Sequence, residues 1–97
     1  MNEGLFLDFL GALGEEFSET LSPVVGSENI VPQDGYELFI RVFKQDPNPQ
    51  FLRSLSELQM EQLRADCERY FECAGVSAEH VREAITRTLA RWPTDLP

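Results

Sequence analysis

A chain of 97 residues with 42% apolar side chains, among them seven Phe, two Tyr and one Trp, suffices for one domain with a modest core and excludes an intrinsically disordered polypeptide. A formal charge of −9 excludes direct nucleic-acid binding, which rests on neutralising phosphates, and disfavours anionic membrane surfaces. No stretch approaches the ~20 apolar residues of a bilayer span, and the N-terminus lacks the basic region and cleavage site of a signal peptide, so residues 1–97 read as a single cytoplasmic domain.

The first predicted helix runs from about Asn2 to Leu21, with Pro23 as its stop. On a wheel of about 100° per residue, Phe6, Leu10, Leu13, Phe17 and Leu21 form one stripe; Leu5 and Phe9 widen it on one side and Leu7 on the other. The apolar arc is then roughly 200° wide, about twice what one core-facing helix requires. The remaining sector carries Asp8, Glu15 and Glu19, with Glu16 at the border. Gly11 and Gly14 each weaken the helix by up to about 1 kcal/mol and permit close approach of another backbone. Such a surplus has three readings: a helix wedged centrally in its own bundle, a helix paired with a second copy, or a helix docked in the groove of another protein.

The segment QDGYELFIRVFKQD reads two ways. As a helix, Asp34 caps it, Glu37 completes a capping-box-like pair and Arg41 follows Glu37 at i,i+4. As a strand, Asp34-Gly35 is a hairpin signal and Tyr36, Leu38, Ile40 and Val42 alternate with period 2. The helix is preferred, with a hairpin around residues 28–43 as the alternative. Asn48-Pro49 caps a short turn through Phe51 and Leu52. Ser56 with Gln59 opens the next helix, which carries Met60, Leu63, Cys67, Tyr70, Phe71 and Ala74 on one face and ends near Gly75. Leu55 and Leu58 point away from that face and are expected to lie under the Phe51-Leu52 turn. Ser77 caps a last helix to Trp92, with Ala78, Val81, Ile85, Leu89 and Trp92 inward and Glu83 with Arg87 as an outer pair. The expected fold is mainly α: a small orthogonal or antiparallel bundle of four to five helices, with α+β as the alternative.

Charge is unevenly spread. Residues 1–40 hold eight acids and no Lys or Arg, whereas residues 41–97 hold nine acids and eight bases, so the two parts carry −8 and −1. An acidic half suits a basic protein partner.

Catalytic and cofactor chemistry finds no foothold. His80, the sole histidine, lies on the outer side of the last helix with no ordered partner for acid–base work. Cys67 and Cys73, six residues apart, would lie about 240° apart on one helix and read as reduced thiols; with His80 they lack the paired spacing of a zinc site. Aligning Gly35 with the glycine of a calcium-binding EF-hand loop puts Ile30, Pro32 and Arg41 where oxygen ligands belong. Nothing implies an enzyme, a cofactor or a metal.

The functional expectation is therefore a non-catalytic protein–protein interaction module, such as an inhibitor, adaptor or accessory subunit. It would dock its N-terminal helix onto a basic protein through Phe6, Phe9, Leu10, Leu13 and Phe17, with Glu15, Glu16 and Glu19 at the rim, and mimicry of nucleic-acid charge is one version of this. The alternative is a homodimeric bundle that senses a small apolar ligand in its core.

Overall fold

The computed structural model describes residues 3–91, apart from the side chains of Glu3, Leu5 and Phe6. Five helices follow one another: α1 (Glu3–Val25), α2 (Pro32–Phe43), α3 (Pro49–Arg53), α4 (Glu57–Phe71) and α5 (Ala78–Ala90), with a 3-10 turn at Ser27–Asn29. The fold is a small mainly α bundle. Among the described residues there is no strand: Ile30 and Val31 are extended, but neither joins a ladder.

Local chemistry accounts for most boundaries. α1 continues through Pro23, which was expected to stop it, and ends at Val25, where Gly26 takes φ 93°. In the final turn the missing proline N–H forfeits a single helical bond, and the Gly26 N–H bonds the Ser22 carbonyl at 2.8 Å. α2 starts two residues before the expected Asp34 cap. Pro32 occupies its first turn, and Asp34, now the third helical residue, accepts from the Val31 N–H at 2.9 Å. Asn48 caps α3 by accepting from the Phe51 N–H at 2.9 Å, and Ser56 and Gln59 cap α4 reciprocally at 3.1 and 2.8 Å, both as the sequence implies. α4 ends at Phe71 rather than near Gly75, because Glu72 adopts the left-handed conformation (φ 51°). The turn that follows is held by Glu68, whose carboxylate accepts from the N–H groups of Gly75 and Val76 at 2.8 and 3.2 Å.

α1 is the central element and packs against both α2 and α5, while α4 closes the bundle against α2 and α5. Its crossing with α2 is made by two glycines: a Cβ on Gly35 would lie 3.1 Å from the Gly14 Cα, and one on Gly14 would lie 2.0 Å from the Pro32 carbonyl oxygen. The close approach lets Phe17 meet Phe39 edge-on at 5.8 Å, and Phe39, Phe43 and Phe51 continue that aromatic cluster from α2 to α3. Leu63 and Cys67 of α4 and Val81, Ala84 and Ile85 of α5 complete the core, with Met60, Tyr70, Phe71 and Leu89 packed at its edge. Ala74 falls outside it, past the end of α4. Leu55 is buried as expected, but Leu58 is 68% exposed. Trp92 lies outside the described residues.

Candidate functional site

α1 separates two environments. Phe9, Leu13 and Phe17, three of the residues expected to dock a partner, are 0% exposed. Leu10 is half-buried against the same core. This overturns their role as a preformed docking surface, and the physical reason is position. A helix sandwiched between two neighbours must be apolar toward both, and contacts with α2 on one side and α5 on the other absorb the wide arc. Phe6 belongs to the same expected set, but its side chain lies outside the described residues.

The acidic rim is likewise answered from within. Arg87 of α5 and Arg91, just past its end, reach across to α1. Arg91 Nη1 donates to Glu16 Oε2 at 3.1 Å and its Nη2 lies 3.0 Å from Glu15 Oε1; Arg87 Nη2 donates to Glu19 Oε1 at 2.8 Å. Arg87 Nε also stands 3.0 Å from Glu16 Oε1, at an angle that makes the contact ionic and leaves that oxygen without a hydrogen bond. Glu16 is therefore a buried clamp between the first and last helices, not a rim residue. Glu15 and Glu19 remain exposed, with their charges partly met. Arg87, expected beside Glu83, turns to α1 instead.

Among the described residues, the outer face of α1 is left uncovered. Leu7 is 59% exposed, and Asp8, Gly11 and Glu15 follow it on the same side of the helix, all exposed. A Cβ built on Gly11 meets nothing within 4 Å, so another backbone could approach there closely. Asp8 stands in no ion pair among the described residues. This surface has one bulky apolar side chain, a glycine and two carboxylates along about two turns.

A second polar cluster joins α2 to α4 and escaped the sequence reading. Asp66 is buried and takes two arginines. Arg41 Nε donates to its Oδ2 at 3.1 Å and Nη2 to its Oδ1 at 3.3 Å, while Arg69 Nη2 reaches Oδ1 at 3.5 Å. The Arg41 guanidinium lies over the Tyr70 ring, 5.1 Å from its centroid, and the Tyr70 hydroxyl donates to Asp34 Oδ1 at 2.8 Å. The hydrogen bond to Asp34 and partial burial push the Tyr70 phenol up to about 12. Arg41 was expected beside Glu37; Asp66, 25 residues away, takes it. No period in the sequence marks this cluster, since its members belong to two helices.

The residues that most invite catalytic readings have structural occupations. His80 closes the α5 cap: its Nδ1 accepts from the Ser77 N–H at 3.0 Å, and its own N–H donates to Ser77 Oγ at 3.2 Å. Burial pushes the Cys67 thiol up to about 12, far from the thiolate that a nucleophile needs. Among the described residues, no group of three His, Cys, Asp or Glu side chains is placed to hold a metal ion, and no helix is long and apolar enough to cross a membrane. Comparison with family models, with curated proteins and with solved structures gives no match.

Proposed function

We propose that this protein is a non-catalytic interaction module that presents the outer face of α1 to a basic protein partner. The observation that carries the reading is the exposed strip Leu7, Asp8, Gly11 and Glu15. It pairs an apolar anchor with carboxylates around a glycine whose side chain position is open. A partner helix or strand can approach closely at Gly11 and bury Leu7, while Lys or Arg groups on its rim meet Asp8 and Glu15. The formal charge of −9 adds long-range steering toward a positive surface. Inhibitor, adaptor and accessory subunit are all forms of this activity.

Site-specific photo-crosslinking tests it. A crosslinker at position 7 or 11 is expected to capture one basic protein from the native host, with capture suppressed at high salt. The same crosslinker at Glu83, exposed on α5, is expected not to capture it. Equal capture from both faces, or capture indifferent to salt, overturns the reading. So does full retention of the partner by the doubly reversed Leu7→Lys, Asp8→Lys variant.

A further inference from the structure

The exposed strip of α1 also constrains the form of the element it can receive. Asp8 and Glu15 are seven residues apart on one helix, so they lie within about 20° of one line and about 10.5 Å apart along it. Gly11 stands between them with its side-chain position open, and Leu7 borders it one turn earlier, 59% exposed. Asp8 is exposed. Glu15 gives Oε1 to Arg91 at 3.0 Å, yet its side chain keeps 60% of its surface exposed. Both carboxylates can therefore be reached from outside.

Backbone chemistry decides between a helix and a strand. From Leu7 to Glu15 the main chain is helical and its polar groups are spent on one another, so none is left to pair with an incoming strand. A segment lying close over Gly11 loses water from its own backbone, and a buried amide without a partner is costly. A helix brings its hydrogen bonds with it; a lone strand does not. The charges agree. Residues on one face of a strand recur about 6.7 or 13 Å apart, whereas helical residues seven apart recur at about 10.5 Å, the spacing of Asp8 and Glu15. The chain itself uses the same contact one turn further along α1, where a Cβ added to Gly35 of α2 would lie 3.1 Å from the Gly14 Cα. A second copy of α1 does not fit the strip, because pairing about Gly11 in either direction sets carboxylate against carboxylate.

We propose that the partner element seated on this strip is an amphipathic helix with two Lys or Arg residues seven positions apart, a small residue between them over Gly11 and an apolar side chain against Leu7. It runs nearly in line with α1, since a steep crossing keeps one ion pair and loses the other. The proposal rests on the reading of the strip as a partner surface and adds to it the shape and charge spacing of the partner.

The test is a titration of the full chain with a stapled, alanine-rich helical peptide, followed in amide 1H–15N spectra at low salt. The peptide carries two lysines seven residues apart, with an alanine midway and a leucine on the same face. Saturable shifts are expected along residues 7–15 and none at Glu83, exposed on α5. A second peptide with the lysines five residues apart keeps the charge, places the two on different faces and is expected to bind about threefold or more weakly. Gly11→Leu, at a position where an added Cβ meets nothing within 4 Å, is expected to keep the spectrum dispersed and to weaken binding about tenfold or more. Shifts that rise without saturation, equal affinity for the two peptides, or undiminished binding by Gly11→Leu each overturn the proposal. Crosslinking from positions 7 and 11 separates the two levels: capture of a basic host protein together with a failed titration removes the helical form and leaves the surface, whereas failure of both removes the surface as well.

Discussion

A methyl group built on Gly14 would collide with the Pro32 carbonyl at 2.0 Å, whereas one built on Gly11, three residues earlier on the same helix, would meet nothing within 4 Å. Both positions are helical, and an interior glycine weakens a helix by about 1 kcal/mol relative to alanine. At Gly14 the fold itself accounts for that weakness, because no larger residue lets α2 cross α1 so closely. At Gly11 the isolated fold makes no such demand. The two sides of α1 thus answer to different constraints: the inward side is shaped by α2 and α5, and the outward side at Gly11 is not constrained by any other described residue.

Substitutions test that division, and the largest effect belongs inside. Phe9→Asp removes a fully buried ring and places a carboxylate in its stead, so a loss of about 5 kcal/mol or more is expected, seen as an unfolded circular dichroism spectrum at neutral pH. A native spectrum would move Phe9 to the surface and reverse the assignment of faces. Gly14→Ala forces α1 and α2 apart and is expected to cost about 2–3 kcal/mol in a urea denaturation midpoint; an unchanged midpoint would show that the crossing is looser than described. Gly11→Ala is expected to stabilise the isolated protein by up to about 1 kcal/mol. Destabilisation by the same change would mean that the chain already covers this face.

The smallest effect locates acid sensitivity away from the outer strip. The hydrogen bond from Arg64, then the Gly75 N–H, holds the Glu68 carboxyl below the usual glutamate range. Hydrogen bonding from Arg64 lowers Glu61 in the same way. A carboxyl depressed on folding contributes stability that is complete above its unfolded value, about 4.3. That contribution is lost as pH falls through the folded value. Denaturation midpoints measured from neutral pH down through the carboxylate range should fall less steeply for Glu68→Gln than for the parent. A parental slope in Glu68→Gln would place the acid-sensitive group elsewhere.

The elements that were legible in the sequence are those written in local chemistry. Asn48-Pro49, Ser56 with Gln59, and Ser77 mark three helix starts because a cap is satisfied within three residues. The face of α4 that bears Leu63 and Cys67 follows from periodicity alone. What was not legible depends on which helices touch. The wheel of α1 shows an arc of about 200°, but not whether one neighbour or two will cover it. The arginines make the same point: Glu37–Arg41 and Glu83–Arg87 have the right spacing for helical pairs, yet Arg41 goes to Asp66 and Arg87 to Glu16 and Glu19; at Asp66 and Glu16 burial of the acceptor strengthens the attraction beyond that of an exposed i,i+4 pair. The charge asymmetry is real in the sequence, but the fold brings Arg87 and Arg91 against acidic α1 and offsets part of it. Among the described residues of the expected site, Glu15 and Glu19 stay on the surface, and Leu7, which merely widened the apolar arc, is 59% exposed.

The clamp between Glu16 and the arginines at the end of α5 has a consequence for biogenesis. Val25 ends α1, and Ala78 begins α5 more than 50 residues later. At a translation rate of about 5–20 residues per second, the ribosome needs roughly 3–10 s to make the intervening stretch. Throughout that interval the side of α1 destined to face α5 lacks its permanent cover, and nascent-chain chaperones have a window in which to hold it.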